Sequence, residues 1–278
     1  MNAKIFGCVF RAAIRGVAVF VLFLAVCALY AYSQQEELAQ KLSVLARKID
    51  ENNQANIEAL ERAGNAGHSP AEEEYRSLRA RMEALTIETM ELQKEIRQAG
   101  VRIYDLPGGA EVLSDLRLKT LSKIALFRRL WKSLYASGGV SDTEEELAQK
   151  WSMMEFRIGD EQALHDDTQK QLKERVKGIR ACGERIAAVA QSIATPAQAA
   201  SAVLALRQLF YAMEMECLTV SEYVNDDPAG AESMVDVLNE TMDDVWNAKI
   251  LPAAQGLEAA DYYGNDDLRR LIRGFFRQ

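Results

Sequence analysis

Apolar residues recur three and four apart along nearly the whole chain after residue 37, and this spacing predicts helices. The first such row is Leu38, Leu42, Leu45, Ile49, Asn53, Ile57 and Leu60. Its helix should stop near Arg62, where Ala63-Gly64-Asn65 offers a glycine cap. Ser69-Pro70-Ala71-Glu72 reads as a capping box with proline in the first turn. It opens a second row of Tyr75, Leu78, Met82, Leu85, Thr89, Leu92 and Ile96, ending at Gly100. Two helices of nearly equal length joined by a short loop predict an antiparallel coiled-coil hairpin over residues 33–100, with arms of about 43 Å at a 1.5 Å rise per residue. Asn53 is the polar residue in that seam, of the kind that sets register.

After a loop at 101–109 ("VRIYDLPGG"), a multi-helix bundle is expected over 110–278, with its first helix at 110–136. Ser141-Asp142-Thr143-Glu144 should open a helix reaching Ile158. The next, 161–193, carries Leu172, Val176, Ile179, Gly183, Ile186, Ala190 and Ile193 on one row. Thr195-Pro196-Ala197-Gln198 caps a partner with Val203, Leu206, Phe210, Met213, Cys217, Val220 and Val224. Asp227-Pro228 begins a helix to about Ala248, and Asn265-Asp266-Asp267 begins a last short one. The echo of "YVNDD" (223–227) in "YGNDD" (263–267) is explained by capping and the helix dipole, not by a repeat. The fold class expected is all-α.

Ahead of these rows lies a different pattern, the uncharged run from Gly16 to Tyr32. Lys4, Arg11 and Arg15 precede it, whereas Gln34, Gln35, Glu36 and Glu37 follow. That asymmetry predicts a signal-anchor helix at 16–32, a cytoplasmic tail at 1–15 and everything later outside, in the periplasm if the cell is bacterial. Cleavage at Ala31-Tyr32-Ser33 is the rival reading, and a lipid-modified Cys27 a more distant one. The expected localisation is therefore a single-pass membrane protein.

Charge sharpens the partner question. No acidic residue precedes Glu36, so the remainder holds all 41 acids and 30 of the 33 bases. A net acidic surface argues against a nucleic-acid partner. The charges are also segregated. Residues 111–135 contain six bases (Arg117, Lys119, Lys123, Arg128, Arg129, Lys132) and two acids, whereas 214–267 contain fourteen acids and the single base Lys249. Internal docking of the basic helix on the acidic ones is expected, the alternative being an anionic membrane surface.

Candidate chemistry is thin. His68 falls in the hairpin loop, and His165 stands beside Glu161 at helical spacing without any His-Glu-x-x-His or Glu-x-x-His motif. Cys182 and Cys217 are too far out of register to bridge. No nucleophile elbow, phosphate loop or dinucleotide fingerprint occurs, and the sequon Asn239-Glu240-Thr241 lies within a helix. No catalytic, metal or cofactor residue is assigned, and an enzyme is not expected. The residues proposed for interaction are Arg117, Lys123, Arg128 and Arg129 on the basic helix, with Arg269, Arg270, Arg273, Phe275 and Phe276 at the amphipathic C-terminus. The expected function is a membrane-anchored helical scaffold, tether or assembly component with a protein partner, open to homo-oligomerisation. The alternative is a sensory or ligand-binding bundle acting through a partner.

Overall fold

The computed structural model describes residues 32–62, 72–136, 153–157 and 160–276. Among them every regular element is helical. Helix α1 spans residues 32–62, α2 spans Glu72–Gln98, and α3 spans Gly109–Ala136. Two 31-residue helices follow, α4 (Glu161–Gln191) and α5 (Pro196–Asp226). Shorter pieces complete the chain: α6 (Pro228–Ala231), α7 (Val235–Asp243), a π-helical segment (Asp244–Ile250), α8 (Leu251–Ala259) and α9 (Asp266–Phe275).

The boundaries follow local chemistry. Gly100 takes φ +69°, its N–H bonding to Arg97 O while Val101 N–H reaches Ile96 O, so a left-handed residue closes α2. Thr195 Oγ1 accepts from Gln198 N–H, and Gln198 returns its side-chain oxygen to Ala194 N–H, a reciprocal box at the start of α5. Asp160, Asp227 and Asn265 likewise cap α4, α6 and α9. Of the two echoing segments, the second serves a helix start throughout, whereas in the first only Asp227 caps a helix and Asn225 and Asp226 end α5.

α1 and α2 run antiparallel. Lys41 pairs with Glu95 and Lys48 with Glu88, each at 2.8 Å, seven residues on in one helix and seven back in the other. α1 also packs on α3, and Leu42, Ile49, Leu85, Leu92, Leu113 and Leu116 share one core. A second core joins α4, α5, the π segment, α8 and α9 through Ile179, Ile186, Leu206, Phe210, Val245 and Ile272. A third, smaller one holds Leu121, Leu172, Val176, Tyr223 and Met234 between them. Because α3 contributes to the first and third, it ties the arm to the bundle.

Three expectations are corrected. Among the described residues no helix is long and apolar enough to cross a membrane. The expectation of a single-pass membrane protein is therefore not supported. The segment it rested on, 16–32, lies outside the described residues except for Tyr32. The helix expected to reach Ile158 does not include 153–157, which are non-helical; its proposed start at Ser141 falls outside the described residues, as does His68. Finally, the helix expected to end near Ala248 continues to Ala259. The π segment explains this: Leu251 N–H bonds to Trp246 O, five residues back, just before Pro252, which has no N–H to donate.

Candidate interaction surface

Where α3, α4 and α5 meet, polar side chains are buried together. Arg117 is only 4% exposed. Its Nη1 donates to Asp167 at 2.8 Å, and Nη2 donates to Thr168 at 2.9 Å and Asp226 at 2.8 Å. The guanidinium also lies over the Tyr223 ring, 4.8 Å from its centroid. Thr168 Oγ1 donates to Asp227, which accepts in addition from His165 Nδ1–H at 2.9 Å and from Gly230 N–H at 3.0 Å. Burial by itself would raise Asp227, but the bonds from Thr168, His165 and Gly230 hold it below the usual carboxylate range. The bond to Asp227 lifts His165 above its ordinary value. Ser114 donates to Asp167 and accepts from Gln171 at 3.0 Å. A buried cation among paired carboxylates fixes how three helices meet. The donors of the Arg117 guanidinium are used within the protein.

A second polar contact pins the non-helical 153–157 segment. Asn53, fully buried on α1, donates Nδ2–H to Met154 O at 2.7 Å and accepts from Met154 N–H at 2.9 Å. The side-chain amide pairs with the Met154 backbone as a neighbouring strand would. Thr120 of α3 reaches the same carbonyl at 3.3 Å.

The basic helix meets its charge at home. Besides Arg117, Lys123 pairs with Asp50, Arg128 with Glu222 at 2.8 Å and Arg129 with Glu214 at 2.9 Å. Arg129 also covers the Tyr211 ring. At the C-terminus, Arg269 bonds Asp266 and Asp261, Arg270 bonds Asp267, and Arg273 reaches Glu258 at 3.4 Å. Phe275 stacks on Phe210 with centroids 4.0 Å apart, and Trp246 contacts both Phe275 and Phe276. The apolar face of α9 is thereby directed into the bundle. Cys182 and Cys217 are free thiols, and burial pushes Cys217 up to about 11.

At the foot of the arm a cleft of about 410 Å³ is lined by Gln93, Ile96, Arg97, Arg102, Tyr104 and Arg157, among others. Arg102 binds Asp105 through two nitrogens, and Arg157 binds Glu155 at 2.8 Å. Tyr104 O–H donates to Asp160 at 2.8 Å, adding to the Ala163 N–H that chiefly holds Asp160 low. Two of the cleft's cations, Arg102 and Arg157, are thus neutralised by Asp105 and Glu155, and Asp160 lies on the lining with Arg97. Among the described residues no group of three or more His, Cys, Asp and Glu is placed to hold a metal ion.

α2 exposes what the bundle does not absorb. Its buried residues, Leu78, Leu85, Leu92 and Ile96, all lie on the stripe facing α1. On the opposite side Ile87 is 58% exposed and Met90 62%. Neither was proposed from sequence, although both belong to a second row spaced four and three apart. The buried seam is the stronger periodic signal in that helix, and it conceals this weaker one. The Asn53–Met154 and His165–Asp227 links were also missed, because their partners are far apart in the chain.

No protein-family model, curated protein or solved structure matches this chain.

Proposed function

We propose that this chain is a helical interaction protein, a scaffold or assembly component whose α1–α2 arm is a coiled-coil hairpin offered to a protein partner. The observation that carries the reading is the outward side of α2, where Ile87 and Met90 stand together in solvent while the helix spends its other apolar residues on α1. The cations first considered for interaction are paired within the fold, and Ile87 and Met90 are among the most exposed large apolar side chains of the described residues, with Leu204 of α5 at 62%. A photoreactive residue in place of Glu91, beside the patch, should capture a protein in cells, whereas one in place of Glu240 on the acidic α7 should not. Capture should fall when Ile87 and Met90 are both replaced by Glu. Equal labelling from both positions would overturn the reading.

The cleft beside Tyr104 favours a second reading, a ligand-binding bundle that acts through a partner. With Arg102 and Arg157 neutralised by Asp105 and Glu155, and Arg97 and Asp160 both on its lining, it suits a neutral or zwitterionic ligand better than a simple anion. Protection of Tyr104 and Arg97 from chemical modification by a small amphipathic zwitterion, and its loss in Tyr104→Ala, would favour this second reading.

A further inference from the structure

The outward face of α2 carries more than two apolar residues. Arg76, Ala80, Glu83, Ile87, Met90, Lys94 and Arg97 follow one another at intervals of four, three, four, three, four and three. That is the heptad spacing of a coiled-coil seam, on the side of the helix opposite Leu78, Leu85 and Leu92. A helix with two seams is built to touch two helices. One is α1. Glu83 pairs along its own helix with Arg79 at 3.1 Å, both about two-thirds exposed, a contact weak enough to exchange.

The order of residues in this row is self-complementary. When two copies of the row are laid antiparallel about the midpoint between Ile87 and Met90, each Ile87 faces the Met90 of the other copy. Each Glu83 then faces a Lys94, and each Ala80 faces an Arg97. The parallel arrangement would instead set Glu83 against Glu83 and Lys94 against Lys94, repelling at both. A two-fold interface requires such reciprocity. We propose that the outer face of α2 docks on the same face of a second copy of this chain, antiparallel, through Ile87 and Met90 flanked by two Glu83–Lys94 pairs. This rests on the interaction reading above and names the partner. With four apolar side chains at its centre, the association is reversible and depends on concentration.

The test uses purified full-length chain carrying photoreactive benzoylphenylalanine at Glu91, which leaves Ile87 and Met90 intact and, in the antiparallel arrangement, lies beside Ala84 and Ile87 of the other copy. Equal amounts of unlabelled and nitrogen-15 chain are mixed and irradiated. The expected product joins one unlabelled and one labelled peptide within Ala84–Ile87. Glu83→Lys or Lys94→Glu alone should weaken association roughly five- to thirty-fold, because two attractive pairs become repulsive ones. The double variant E83K/K94E should restore it. Melting curves of each variant establish that the fold is kept. Absence of a mixed-isotope product up to about 100 μM, far weaker than specific complexes of this kind, would overturn the proposal. So would crosslinks at Glu91 itself, or single swaps without effect. If Glu91 instead captures a different protein in cells and never a second copy, the homotypic proposal falls and the interaction reading stands. If it captures neither, both fall.

Discussion

Arg117 shows what one side chain contributes when three helices meet around it. Replacing it with Met would leave the buried Asp167 and the partly exposed Asp226 without their cation, and a loss of about 3–5 kcal/mol in chemical denaturation is expected. Asn53→Ala strands the N–H of Met154 and leaves its carbonyl only the longer bond from Thr120, for an expected loss of about 1–3 kcal/mol. Tyr223 behaves in the opposite way. Its hydroxyl is buried with no hydrogen-bond partner, so Tyr223→Phe should be neutral or stabilising by up to about 1–2 kcal/mol, keeping the ring beneath Arg117. The His165–Asp227 link gives a pH signature. His165 is raised, so its contribution is complete below the ordinary imidazole value and disappears as pH rises through the folded one. Asp227 is lowered, so its contribution disappears only as pH falls through the depressed carboxylate value. Glu161, 3.8 Å from the same ring, and Asp166 reinforce the first effect. His165→Gln should therefore lower Tm more at pH ~5.5 than at pH ~9, and an equal loss at both would refute the assignment.

At the level of helices, the chain announces its starts and stops more clearly than its long-range contacts. Thr195, Asn265 and Gly100 act on backbone groups within a few residues, and those boundaries were legible. The departures come where distant residues decide. Met154 is held non-helical by Asn53, 101 residues away, which overrides the local pattern that would extend a helix through it. Pro252 is accommodated by the preceding π segment, and periodicity alone does not foresee that change of pitch. The π segment also sets a close approach. A Cβ placed on Gly183 of α4 would lie 2.3 Å from Val245 Cγ1. Gly183→Ala should consequently cost about 1–3 kcal/mol despite alanine's better helix propensity. Val245→Ala in the same chain should recover part of that loss, a coupling that a double-mutant cycle will detect. Of the interaction surface, the charged residues were visible from sequence and proved to be paired within the fold. Ile87 and Met90 became distinguishable only once the face of α2 turned toward α1 was known.

For the molecule as a whole, the three cores are linked in series, the first to the third through α3 and the third to the second through α4 and α5, with α9 at the far end. Phe275 and Phe276 cover Phe210 and Trp246, and Leu268 and Ile272 are buried beside them. Before α9 the backbone passes through Asp261, Tyr262 and Tyr263 with φ of 46°, 52° and 51°, a left-handed path costing roughly 1–2 kcal/mol per residue. Burial of Tyr262 and the contacts of α9 must offset that strain. Removing residues 265–278 should therefore shift Trp246 fluorescence to the red and lower Tm, while α1, α2 and α3 keep their hydrogen-exchange protection. Loss of protection in the arm as well would mean that the cores unfold as one unit.

The pairing of Asn53 with Met154 also has a consequence in time. While the chain is being made, α1 is complete long before Met154 exists, and at about 5–20 residues per second the intervening 101 residues take roughly 5–20 s to add. Throughout that interval a helix with Leu42, Ile49 and Ile57 on one side has only α2 and then α3 to shield it, and its amide at Asn53 must be served by water. The nascent arm is thus a candidate client for a chaperone during a defined window, which closes when the 153–157 segment emerges. Ribosome-bound chains arrested before Met154 should bind a hydrophobic-surface holdase, and chains arrested well beyond it should release it.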